Sequence, residues 1–327
     1  MRFAFSDDQL AFRDAVRDLL AKMAGPDTLR ALWDGDRGRD PVVWSHLAEM
    51  GVLGLLAPES AGGLGLDEID LVLILEECGR AALAGPVVEH AAVAVPTLAA
   101  AEADSPLRAA AAGDIVVTAA SGRAAVPFGA EADLLLIERD GVVQAVEPAD
   151  LITGDPLTSV DRSRPFAEVN WSKAIPLPGA DPALFRARAA AATAAVLCGL
   201  AAHLIETTAG YVKERRQFGV PIGSFQAVKH HLADALIALE HARPAVYYAA
   251  WSIATGQPTL SRDASFAKAY ANEAAGLAAR VALQCHGAIG YTYEHDLHLW
   301  LKRVWSLRLA WGDTPHHRRQ VAAAVLH

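Results

Sequence analysis

"KERRQFGVPIGSFQAVKHHLAD", residues 213–234, is a polar turn set between two alanine-rich helical stretches. Arg215, Arg216 and Gln217 stand before a Phe218-Gly219 turn. Two guanidiniums there suit a phosphate or a carboxylate, because the planar fork donates two parallel hydrogen bonds. A solvated helix end accounts for the same residues. Outward from this turn the pattern predicts helices over about 182–214, 224–255, 261–287 and 294–309, whose small alanine faces permit close packing in a bundle.

Two more stretches of that bundle have the texture of a site. In "QCHGAIGYTYE", residues 284–294, Gln284 ends a helix before Gly287 and Gly290, where bare backbone either approaches a flat ligand or simply caps the helix. "RLAWGDTPHHR", residues 308–318, gathers an aromatic, an acid and two histidines. Asp313 reads as the N-cap of a following helix, and adjacent His316 and His317 point apart, a poor metal pair that suits a surface helix start. His295 and His298 share a face with no third ligand in view, so no metal site is expected.

Upstream the texture changes. "DIVVTA", "ADLLLIE", "GVVQAVE" and "FAEVNW" are short apolar or alternating runs broken by Gly and Pro, as in an antiparallel sheet. Before them Ser6 and Gln9 form a capping-box pattern, and Leu10, Phe12, Val16, Leu19 and Leu20 recur at helical spacing. A second N-terminal helix starts near Asp67, after a loop set by Pro58, Gly62, Gly63 and Gly65. The expected fold is mostly α with a small central β domain: a helical domain over 1–112, a reduced β domain over 113–178 and a helical bundle domain over 179–327.

With 327 residues the chain can bury a large core. A formal charge of −9, with no Lys/Arg stripe, argues against nucleic acid. The most apolar run, Ala189 to Ala202, is too short to span a bilayer, so no membrane is expected. The N-terminus has acids and no apolar core, unlike a secretory signal. Cys78, Cys198 and Cys285 form no CxxC pair and suit reduced buried thiols, hence a cytoplasmic location.

Taken together, "RRQFG", "QCHGAIG", "WSHLAEMGVLGLLAPESAGGLGL" and "EECGR" stand in the order and spacing of the acyl-CoA dehydrogenase family, which the chain resembles over nearly its whole length. The resemblance implies FAD-dependent α,β-desaturation of an acyl-CoA thioester, in which a carboxylate takes the α-proton and the β-hydride goes to the flavin. In such proteins the flavin is shared between two subunits. Arg215, Gln217 and Phe218 fall on the pyrophosphate turn of the neighbour's FAD, and Gln284 and Gly287 on its adenine turn, with Ala288 in place of a usual glycine. Phe225 and Gln226 match the start of the next helix.

Two elements of the pattern are missing. The family's catalytic glutamate falls on Trp311, and the alternative position used by some members falls near Ala189. The "TEPGAGSD"-like flavin wall is also absent, since "SGRAAVPFG" leads directly to "AEADLLLI". Trp311 either fills a vestigial pocket or packs as a core aromatic against the β domain, and Asp313 is the one nearby acid.

The reading that uses both sets of facts is a subunit of a hetero-oligomeric, α2β2-type dehydrogenase. It resembles the short, base-lacking subunits of actinobacterial steroid-degrading enzymes. This chain would lend its turns to an FAD whose wall and glutamate belong to a related chain, with an electron-transferring flavoprotein as acceptor. A self-sufficient homo-oligomer with a relocated base, and a non-catalytic structural paralogue, are the alternatives.

Overall fold

The computed structural model describes residues 4–35, 37–122 and 125–326; Arg123 and Ala124, inside the shortened β segment, and Met1 to Phe3 of the N-terminus lie outside the described residues. The chain begins with helices α1 (Asp7–Met23), α2 (Pro26–Asp34), α3 (Pro41–Glu49) and α4 (Glu68–Arg80). The capping box at Ser6 is formed in both directions, Gln9 N–H to Ser6 Oγ at 3.2 Å and Ser6 N–H to Gln9 Oε1 at 2.9 Å. A π-helical segment, Val88–Ala94, runs into α5 (Val95–Ala100), and α6 (Asp104–Ala111) follows. Pro96 lies in the first turn of α5 and lacks an N–H, and the wider π turn sits directly before it.

The β region comprises β1 (Val117–Ser121), β2 (Val126–Pro127), β3 (Leu134–Arg139), β4 (Val142–Val146), β5 (Leu151–Leu157), β6 (Phe166–Trp171) and β7 (Ile175–Pro176). One sheet is ordered β1-β3-β4-β7 and the other β2-β6-β5. Where the spacing predicts antiparallel strands throughout, β1 and β3 are parallel. The reason is the connection: the stretch between them visits the second sheet through β2, a crossover instead of a hairpin. Asp140-Gly141, both at positive φ, closes the β3–β4 hairpin.

Helix α7 (Pro182–Glu214) begins the bundle, followed by the hairpin β8 (Arg216–Gln217) and β9 (Val220–Pro221), then α8 (Gln226–Ala254), α9 (Leu260–His286), α10 (Leu297–Leu307) and α11 (Thr314–Val325). The apolar stretch of α7 is longer than the 14-residue run suggests; by length and composition the helix passes for a membrane span, but 89% of its most apolar window is buried inside the protein. Helix α10 starts at Leu297, not 294, because Arg30 takes the carbonyls of Tyr293 at 2.8 Å and Glu294 at 3.2 Å.

One hydrophobic core runs from Val16 and Leu20 through α4 and α7 to Val304 and Leu307, so the N-terminal helices and the bundle share an interior. At its centre α4 and α7 touch backbone to backbone. A Cβ on Gly79 would lie 2.0 Å from the Val196 carbonyl oxygen, and one on Gly199 would lie 1.8 Å from that of Glu76. A second core joins β1, β3 and β4 to Phe185 and Ala189. Cys78 and Cys198 are buried and free, and desolvation pushes the Cys78 thiol up to about 12.

Candidate functional site

The end of α7 and the end of α9 meet at one corner of the bundle. Tyr211, one turn before Arg215, stacks on His286, the last residue of α9, with ring centroids 4.2 Å apart. This contact brings the two sequence-identified turns to the same place. The first is the β8–β9 hairpin, in which Arg216 NH2 donates to the Gly219 carbonyl at 3.1 Å and Ile222 N–H to that of Arg215 at 2.8 Å. The second is the cap at Gly287, whose φ of 66° and open Cβ direction leave bare backbone at the surface.

Arg215, Gln217, Phe218, Phe225, Gln226 and Gln284 are all exposed. Among the described residues, the side chains of Arg215, Gln217 and Gln284 make no hydrogen bond or ion pair within the chain. Phe218 is 91% exposed and held at φ 52°, a left-handed conformation unfavourable to a bulky side chain. Its edge meets the Phe225 ring at 6.2 Å. A large apolar ring kept strained in solvent is consistent with a ligand or neighbour that covers it. Phe218→Asn is expected to leave chemical stability unchanged or raised by up to about 1 kcal/mol, since Asn tolerates this conformation. The same variant should lower flavin retention in an assembled complex; a destabilised chain in urea titration would contradict the first expectation.

The second part of the site lies between the β region and the bundle, where a cleft of about 1000 Å³ opens. The two positions on which the resemblance places the family's glutamate come together beside it. Ala189 is fully buried in the core formed with Phe185, and Trp311 packs on Phe185 at 5.9 Å in an edge-to-face contact. Trp311 is half-buried and forms part of the cleft wall, so it does not fill the cleft. It packs against the core that includes β1 and β3.

Trp311 and Gly312 have φ of 56° and 107°, a strained pair that needs outside support. Two groups provide it. His317 Nε2 donates to the Trp311 carbonyl at 3.0 Å, and Lys268 Nζ donates to the carbonyls of Leu307 and Gly312, each at 3.2 Å, and to Asn272 Oδ1 at 2.7 Å. Three acceptors match the three N–H groups of an ammonium, while burial and the nearby Arg308 and Arg164 push the Lys268 pKa well below its ordinary value. Only glycine fits at 312, since a Cβ there would sit 2.7 Å from both His316 Cδ2 and His317 Nε2.

The histidine pair is thus not wholly a surface feature: His316 is exposed, but His317 is buried because its ring turns back under the strained loop. Burial lowers its pKa to about 4. Asp313 Oδ1 accepts the His316 N–H at 2.8 Å, so its carboxylate caps α11 and is not part of the cleft lining. Among the described residues no Asp or Glu lines the cleft. Lys268 was not picked out from sequence; the available signal was a polar pair four residues apart, Lys268 and Asn272, on an otherwise alanine stripe.

Comparison with known proteins agrees with this architecture. The acyl-CoA dehydrogenase N-terminal domain matches residues 6–103 and the C-terminal domain residues 185–326. The chain is 33% identical over 326 residues to the acyl-CoA dehydrogenase IpdE2 of Mycolicibacterium smegmatis, covering 98% of this chain and 99% of that one. A solved variant of the Tcur3481-Tcur3483 steroid ACAD superposes with a TM-score of 0.89 at 26% identity, over 98% of each chain. The ChsE4-ChsE5 complex from Mycobacterium tuberculosis has the same fold, with a TM-score of 0.90 at 23% identity over 100% of this chain and 99% of that one. The chain belongs to the acyl-CoA dehydrogenase family of FAD-dependent oxidoreductases.

Proposed function

We propose that this protein is the flavin-lending subunit of a hetero-oligomeric acyl-CoA dehydrogenase. The observation that carries the reading is an asymmetry between its two half-sites. The neighbour-facing turns keep Arg215, Gln217 and Gln284 free to act, whereas Trp311 and Ala189 stand where the resemblance places the base and, among the described residues, no carboxylate lines the chain's own cleft. A related acyl-CoA dehydrogenase chain would provide the glutamate and the flavin wall. The solved Tcur3481-Tcur3483 and ChsE4-ChsE5 assemblies, each named for two chains, support such a pairing.

The donor set fits the dinucleotide half of FAD. Arg215 offers an unpaired guanidinium for the pyrophosphate, Gln217 and Gln284 offer amide donors and acceptors, and the glycine cap at 287 leaves room for close approach. Phe218, Phe225 and Gln226 flank the same corner. Bound FAD supplies the hydride acceptor for desaturating an acyl-CoA, and reoxidation falls to an external acceptor such as an electron-transferring flavoprotein. The residues of this chain bind and orient; they move no proton.

Flavin stoichiometry tests this reading. The protein purified alone should be colourless, and co-expressed with a related chain that carries the glutamate it should yield about one FAD per pair. In that complex Arg215→Ala should weaken flavin retention by on the order of 1.5–3 kcal/mol through loss of a charge-assisted contact. One FAD per chain without a partner would sink the proposal in favour of a self-sufficient enzyme.

A further inference from the structure

The loop that leaves α9 at Gly287 is anchored at its two ends by different parts of the chain. Its first turn, the 3-10 segment Gly287–Tyr291, docks on the bundle through Gly290, which is buried against Leu283, His286 and Leu297. Ile289 and Tyr291 beside it are exposed. The far end is held from α2, in the N-terminal helices.

Arg30 of α2 turns all three nitrogens of its guanidinium on that end. Nε donates to Asp296 Oδ1 at 2.6 Å, NH1 to the Tyr293 carbonyl at 2.8 Å and NH2 to the Glu294 carbonyl at 3.2 Å. A planar fork with three acceptors in reach fixes the direction of a loop as well as its distance. One turn along α2, Trp33 adds a second hold. Lys302 Nζ lies 4.5 Å from the centroid of its ring and 4.2 Å from that of Tyr293, and donates to the Tyr293 hydroxyl at 3.2 Å. Trp33 belongs to the buried core, so the loop is held against a rigid wall.

This clamp does little for folding as such. The Arg30 and Asp296 side chains are 34% and 40% exposed, and an ion pair in that setting contributes little to stability. Three donors converge where the fold gains little, so what they determine is the position of the loop. That loop starts at the Gly287 cap, three residues after Gln284, whose side chain has no partner within the chain.

We infer that Arg30 is a positioning residue for the flavin half-site: by holding residues 293–296 it sets where the Gly287 cap and Gln284 stand against the dinucleotide. Arg30 itself touches no ligand. The inference rests on the flavin-lending reading and adds to it a dependence on the N-terminal helices, because the half-site takes its shape only when α2 is docked on the bundle.

Two measurements test it. In the isolated chain, amide hydrogen exchange over 287–296 should speed by at least about tenfold in Arg30→Met, while α9 stays protected and the urea midpoint moves little. In the pair co-expressed with a related chain that carries the glutamate, the same variant should raise the FAD dissociation constant about tenfold, the weight of one lost charge-assisted contact. Arg30→Lys should restore part of the affinity, since an ammonium still reaches the carboxylate but lacks the fork. A double-mutant cycle separates positioning from general damage: Arg30→Met should weaken FAD binding less in the Gln284→Ala background than in the parent, whereas general damage adds in full.

Loop exchange equal to the parent's, an unchanged FAD dissociation constant in Arg30→Met, or full additivity with Gln284→Ala would each overturn the inference. Arg215→Ala in the same assay keeps it distinct from the reading on which it rests. If Arg215→Ala loses flavin and Arg30→Met does not, the positioning role alone fails. If Arg215→Ala loses none, the flavin-lending reading fails and the positioning role falls with it.

Discussion

Replacing Arg303 with methionine is expected to cost about 3–5 kcal/mol of stability, a large share of the margin of an ordinary domain. Arg303 is buried in α10 and binds the carboxylate of Asp161, which has no exposed surface. It also donates to the Leu83 carbonyl at 2.5 Å and to Ser163 Oγ at 2.8 Å, while Trp33 Nε1 reaches the same Ser163 oxygen at 3.2 Å. The N-terminal helices, the β5–β6 loop and the bundle are therefore tied by one polar knot. Removing the guanidinium strands a buried carboxylate that keeps, among the described residues, the N–H and hydroxyl of Ser163 as donors. Urea midpoints measure the loss, and adding Asp161→Asn to Arg303→Met should recover part of it, since the stranded charge is then gone. A single variant as stable as the parent would show that the knot contributes nothing.

Acid should unfold the protein well above the carboxylate range. His90 is fully buried, its Nδ1 accepting from the Val117 N–H at 3.0 Å and its Nε2 donating to the Ala110 carbonyl at 3.0 Å, an arrangement open only to neutral imidazole. Burial lowers its pKa from 6.5 to about 4. The unfolded chain binds this proton from pH 6.5 downward and the folded chain does not, so stability falls as pH falls through that window. For His90 alone the loss is roughly 2 kcal/mol at pH 5 and roughly 3 near pH 4. His203, His298 and His317 are lowered to about 4 by the same cause and act with the same sign. Urea midpoints at pH 7, 6 and 5 should decline in order, and His90→Gln should flatten the slope. A midpoint constant over that range would refute the assignment.

Much of this structure is legible in local sequence patterns. The helix over about 182–214 follows from alanine-rich composition, and the observed α7 spans Pro182–Glu214, capped by Asp181. The two turns that we assign to flavin are legible because Phe-Gly and Gly-rich breaks are chemical signals within a few residues. What stayed hidden depends on residues remote in sequence. Arg303 and Asp161 are 142 positions apart, and neither stands in a pattern that names its partner. The parallel pairing of β1 with β3 is set by a crossover through a second sheet, not by alternation within either strand. Trp311 illustrates the limit at the site itself. Its position is identified by resemblance, but whether it closes the cleft or walls it depends on Phe185, Lys268 and His317, from helices α7, α9 and α11.

The shared interior of the N-terminal helices and the bundle bears on how the chain is made. Helix α4 meets α7 at Gly79 and Gly199, yet 134 positions separate the end of α4 at Arg80 from the end of α7 at Glu214. At the usual 5–20 residues per second, the apolar face of α4 waits roughly 7–27 s on the ribosome for the helix that covers it. Nascent chains of this protein are thus expected to recruit chaperones during synthesis, and a stalled fragment ending before α7 should aggregate.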